Sequence, residues 1–131
     1  MTTALAKGTF TVEMKPQGEP RVVDGVSLGR MLLDKRFEGD LVATSLVEML
    51  YARPSMQGSG GYVAIEQVTG TLHGKQGSFV FQHSGSMAHG GQQLSITVVP
   101  DSGTGDLAGL SGNFKLQIDE GKHFYEFEYE L

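Results

Sequence analysis

Residues 62–98, YVAIEQVTGTLHGKQGSFVFQHSGSMAHGGQQLSITV, decide the fold. Two glycine-bearing turns, His73-Gly74-Lys75-Gln76-Gly77-Ser78 and His89-Gly90-Gly91-Gln92, cut the stretch into three segments of strand length. Within each, apolar and polar residues alternate, which is the period of a half-buried strand, and tight glycine turns join antiparallel neighbours. Centring the first turn on Lys75-Gln76 pairs Leu72 with Phe79, Gly70 with Phe81, Val68 with His83 and Glu66 with Gly85. The second turn pairs Met87 with Leu94, Gly85 with Ile96 and His83 with Val98. Turns of two or four residues keep the same parity, so the faces do not depend on the turn's centre. Phe79, Phe81, His83, Met87, Leu94, Ile96 and Val98 share one face; Ser78, Val80, Gln82, Ser84, Ser86, Ser95, Thr97 and Val99 share the other.

Upstream, Thr9 to Lys15 alternates as a strand, with Phe10, Val12 and Met14 on one side, and Pro16-Gln17-Gly18-Glu19-Pro20 stops it. A turn at Asp24-Gly25 leads into strands over Ser27 to Phe37 and Leu41 to Tyr51, joined at Glu38-Gly39-Asp40. Their register has two solutions. A two-residue loop puts Leu46, Glu48 and Leu50 on the face of Phe37; a bulged three-residue loop puts Leu41, Ala43, Val47 and Met49 there. Leu41 to Tyr51 tolerates a helix by propensity, but two strand neighbours and a tight link favour a strand. Arg53 to Gly60 reads as a flexible loop, and Pro100 to Leu110 as a longer connection with one helical turn.

The last hairpin turns at Glu120-Gly121. It pairs Ile118 with His123, Leu116 with Tyr125 and Phe114 with Phe127 on one face, and Asp119 with Lys122 and Lys115 with Glu126 on the other, where opposite charges meet. Tyr125, Phe127, Tyr129 and Leu131 then point inward, and Phe124, Glu126, Glu128 and Glu130 outward. No helix is long enough to cover the apolar face, so the sheet must close on itself. The expected architecture is all-β: one domain over residues 1–131, an antiparallel meander barrel of about eight strands.

The chain has 131 residues, no cysteine, 19 glycines and a formal charge of −5. Disulfides, thiolate nucleophiles and zinc–cysteine sites are thereby excluded. Its ten lysines and arginines form no run longer than two, which disfavours nucleic acid as a partner. No apolar run has membrane-spanning length. The first eight residues lack the basic and apolar regions of a secretion signal, so the expected location is cytoplasmic.

Gly61-Tyr62-Val63-Ala64-Ile65-Glu66, Val68-Thr69-Gly70-Thr71-Leu72, Phe81-Gln82-His83-Ser84-Gly85 and Val99-Pro100-Asp101-Ser102-Gly103-Thr104-Gly105 resemble domain-of-unknown-function family 3224. Gly29-Arg30-Met31, Phe37-Glu38-Gly39-Asp40-Leu41 and Gly121-Lys122-His123 extend the likeness over nearly the whole chain. The resemblance implies an eight-stranded barrel similar to that of plant allene oxide cyclases. It supplies no catalytic residues, and no cyclase motif is visible.

Glu66 and His83 are the one ionisable pair on the inner face, diagonal to each other on adjacent strands and within side-chain reach. Such a pair can do acid–base work on a bound molecule, or simply satisfy each other's hydrogen bonds. With Tyr62, Tyr125 and Tyr129 they are the candidate ligand contacts for a small apolar or amphipathic molecule, with isomerase or cyclase chemistry as the reaction type. The competing expectation is a packed, non-enzymatic barrel acting through its outer face, as a homo-oligomer or interaction module, through Val63, Ile65, Val80 and the glutamate row of the last strand. A metal held by Glu66, His83 and Glu48 would need Glu48 to turn inward, and no HxH or HxxxH spacing supports one, so no metal or other cofactor is expected. His73, His89 and His123, beside turns, are expected to be solvated. Gly103-x-Gly105-x-x-x-Gly109 lacks the long helix of a dinucleotide loop, Asp101 and Asp106 miss calcium-loop spacing, and Ser84, Ser86 and Ser111 have no nucleophile context.

Overall fold

The computed structural model describes residues 3–131; Met1 and Thr2, the start of the segment weighed as a secretion signal, lie outside the described residues. Nine strands follow in order: β1 (Thr3–Pro16), β2 (Arg21–Val23), β3 (Val26–Gly39), β4 (Leu41–Arg53), β5 (Gly60–Leu72), β6 (Lys75–Ala88), β7 (Gly91–Val98), β8 (Ser111–Asp119) and β9 (Lys122–Glu130). All pairings are antiparallel, and β1 pairs with both β9 and β3, closing eight strands into a barrel. The short β2, not foreseen in the sequence, folds back on β3 as an appended hairpin. Leu41 to Tyr51 is strand throughout.

Four of the turns are two-residue X-Gly corners: Asp24-Gly25, His73-Gly74, His89-Gly90 and Glu120-Gly121. Both residues of each have positive φ, near +50° and +80°, the twist that lets two strands turn back without splaying. The last corner carries the expected register without change. The first central corner sits at His73-Gly74 rather than Lys75-Gln76, so Leu72 faces Lys75, Val68 faces Phe79, Glu66 faces Phe81 and Ala64 faces His83. The second turns at His89-Gly90, which sets His83 against Ile96 and Gly85 against Leu94. Both corrections are even shifts along the partner strand, so every face assignment survives. Between β3 and β4 the bulged alternative holds: Phe37 faces Ala43, and Leu41, Ala43 and Val47 point inward.

The barrel interior is layered. One end is filled by Phe37, Phe79, Phe81, Phe114, Tyr125 and Phe127, stacked, tilted or edge-on at centroid distances of 5.0–6.0 Å. That end is capped by the 99–110 connection, which buries Leu107, in its 3-10 turn (Gly105–Leu107), and Leu110 beyond it. Toward the other end, four polar side chains, Lys35, Ser45, Glu66 and His83, lie buried in the wall. Beyond them Leu33, Val47 and Ala64 form a second, smaller apolar layer against Met31, Met49 and Tyr62. Ile118, expected inward, is instead exposed at the tip of the last hairpin. Among the described residues no helix is long and apolar enough to cross a membrane.

Candidate functional site

Strand parity fixes which side chains meet in the polar layer. Glu66 faces Phe81 across β5 and β6, and His83 faces Ala64, so the pair is diagonal as expected. His83 Nε2 lies 2.7 Å from Glu66 Oε1. Two further side chains complete the carboxylate's shell: Lys35 Nζ at 3.2 Å from Oε1, and Ser45 Oγ, donating to Oε2 at 2.6 Å. Lys35 also lies 5.0 Å from the centre of the Phe10 ring and 6.0 Å from that of Phe37, which shield its charge from water. Among the described residues no buried side-chain nitrogen or oxygen lacks a partner.

Burial pushes the Glu66 carboxyl up, but the His83 N–H, the Lys35 ammonium and the Ser45 hydroxyl together outweigh it and hold it below the ordinary carboxylate range. An ionised carboxylate can only accept, so His83 carries its proton on Nε2. The Tyr62 hydroxyl stands 3.2 Å from the other ring nitrogen, Nδ1. With the imidazole in its Nε2–H tautomer, Nδ1 is an acceptor and the chain runs Tyr62 O–H to Nδ1, then Nε2–H to Glu66. Burial, and behind it the Glu66 charge, push the Tyr62 phenol up to about 12, so it stays protonated at neutral pH.

Tyr62 is the one member of this network that is only half-buried. It lines a cavity of about 320 Å³ at the barrel mouth, together with Met14, Met31, Leu33, Met49, Tyr51 and Met87. Tyr51 and Tyr62 face each other across β4 and β5, yet each ring leans away over a glycine on its other neighbour. A Cβ on Gly29 would fall 2.3 Å from the Tyr51 ring, and one on Gly85 would fall 2.5 Å from Tyr62 Cε1. Two bare Cα positions thus let the two rings part and hold the mouth open.

Of the candidate contacts, Tyr62, Glu66 and His83 come together; Tyr125 and Tyr129 do not join them. Tyr125 accepts from the Leu41 N–H at 2.9 Å and donates to the Glu38 carbonyl at 2.8 Å, tying down the β3–β4 turn at the capped end. Tyr129 bonds His73, whose other nitrogen is 3.6 Å from Asp40, so His73 is engaged rather than simply solvated. His123 is half-buried against Phe10, with ring centres 5.0 Å apart. Glu48 points outward, so Glu66, His83 and Glu48 do not converge. Lys35 and Ser45 were missed in the sequence; the signal available was a lysine in step with Leu33 and Phe37, on the apolar side of its strand.

The family model described as "Protein of unknown function (DUF3224)" matches residues 6–129. The chain belongs to the DUF3224 family. Its barrel is similar to the crystal structure of a DUF3224 protein with unknown function from Shewanella oneidensis MR-1, at 48% identity and a TM-score of 0.94, over 99% of this chain and 98% of that one. No curated protein matches the chain. In this DUF3224 barrel, an aromatic plug fills one end while the other keeps a methionine-walled opening above a buried ion cluster.

Proposed function

We propose that the barrel binds a small apolar or amphipathic molecule at its mouth, with the Tyr62 hydroxyl as its polar contact. The observation that carries this reading is the 320 Å³ cavity with Tyr62 in its wall, wired through His83 to Glu66. That volume is at the lower end of the roughly 300–1,000 Å³ typical of small-molecule sites. Met14, Met31, Met49 and Met87 around one opening favour an adaptable apolar lining, since thioether chains reshape around different ligands.

Acid–base assistance of the isomerase or cyclase type is open to such a ligand through Tyr62. Glu66 and His83 do not line the cavity; they are positioning residues, setting the direction of the Tyr62 proton. The cysteine-free composition suits a cytoplasmic setting for this activity. The test is mass spectrometry of organic extracts from purified protein, wild type beside Met49→Trp, which fills the mouth. A small apolar molecule retained by the wild type and absent from the variant supports the reading; equal recovery from both removes its basis.

A second reading draws on the outer face of β4 and β5, where Leu46, Leu50, Val63 and Ile65 are each about half exposed around Glu48. Contiguous apolar surface of this kind marks contact sites, and association with a second copy would cover it. Sedimentation of wild type against Leu50→Arg tests this: a dimer lost in the variant supports it, and a wild-type monomer at high concentration ends it.

A further inference from the structure

We propose that the mouth cavity takes molecules carrying a single anionic group on an apolar body, with Arg53 as the anion's anchor. This inference rests on the reading of the mouth as a binding site. Arg53 is the one charged side chain in the cavity lining; every other contributor is apolar, aromatic or a neutral polar residue. The chain as a whole carries a formal charge of −5, so a rim without a carboxylate is a local departure from its surroundings. Among the described residues no ion pair uses Arg53.

The guanidinium is also pre-oriented. Its central carbon lies 5.6 Å from the centre of the Tyr51 ring, and Tyr51 itself is held over Gly29. A guanidinium placed over an aromatic face keeps N–H donors for a carboxylate, sulfonate or phosphate oxygen. Tyr62, deeper in the wall, is the second polar contact, and the methionines and Leu33 lie around the apolar body between them. A ligand spanning the two puts charge at the rim and hydrocarbon within. A cation of the same shape would meet Arg53 as a like charge.

The test compares octanoate, octan-1-ol and octylammonium on the intact protein by amide chemical-shift titration, in wild type and Arg53→Gln. Octanoate is expected to bind roughly fivefold tighter than octan-1-ol at low salt, consistent with one partly exposed ion pair, and the preference should shrink as salt is added. Arg53→Gln should bring octanoate down to the level of octan-1-ol and leave octan-1-ol unchanged. Octan-1-ol binding as tightly as octanoate in wild type, or octanoate unaffected by Arg53→Gln, overturns the inference and leaves the cavity reading intact. If none of the three binds, the cavity reading fails and takes this inference with it.

Discussion

The ring of Tyr62 rests against the bare Cα of Gly85, so close that a Cβ there would lie 2.5 Å from Tyr62 Cε1. That contact decides whether the mouth is open and whether the Tyr62 hydroxyl meets His83. Gly85→Ala should push the ring off its place, at about 1–3 kcal/mol of stability. The check is urea denaturation combined with the His83 ring shifts: an unchanged midpoint and unchanged imidazole resonances would show that the ring was never held there.

Glu66 should be the most costly side chain to neutralise. Glu66→Gln keeps the shape but leaves the Lys35 ammonium without its counter-charge, a loss of roughly 3–5 kcal/mol. Adding Lys35→Met should recover most of it, because the pair is then removed together. A double-mutant cycle by chemical denaturation measures this; additive losses would mean that the two charges do not depend on each other.

The same carboxylate makes stability depend on acid. Its folded pKa lies below the ordinary 4.5, so in acid the unfolded chain binds its proton first. The stabilisation is complete above 4.5 and is lost as pH falls through the lowered folded value. Denaturation midpoints from pH 7 to pH 3 should therefore decline more steeply in wild type than in Glu66→Gln. Parallel declines would assign the acid sensitivity to other groups.

At the capped end, Tyr125→Phe removes the acceptor of the buried Leu41 N–H and the donor to Glu38. Stranding these groups should lower stability by about 1–3 kcal/mol. Binding at the distant mouth should be unaffected, which separates this tyrosine from Tyr62. Altered affinity for octan-1-ol in the variant would place Tyr125 back in the site.

The faces of the barrel were legible in sequence because strand parity tolerates errors that register does not. Moving the first central turn from Lys75-Gln76 to His73-Gly74 changed every β5 partner of β6 but left Glu66 and His83 diagonal. The turn was misplaced because Gly74 and Gly77 both look like corner residues; the left-handed φ of His73, +48°, is set by the fold and is not written in the residue type. The Glu66–His83 pair could be read from two well-patterned strands. Lys35 carried a signal, its step with Leu33 and Phe37, but Ser45 could not be added, because the β3–β4 link allowed either parity for it. Tyr125 and Tyr129 share the inward face with Tyr62, yet parity says nothing about position along the barrel axis. Depth depends on strand stagger, which only the closed pairing of β1 with β3 and β9 determines.

The central claim is that the mouth is a binding cavity whose polar contact is Tyr62. Titrating octan-1-ol into isotopically labelled protein tests it most directly. The account predicts saturable shifts at Met31, Met49, Tyr62 and Met87, abolished in Gly85→Val, whose side chain drives the Tyr62 ring into the opening. Shifts that are absent, unsaturable, or equally strong in Gly85→Val would contradict it.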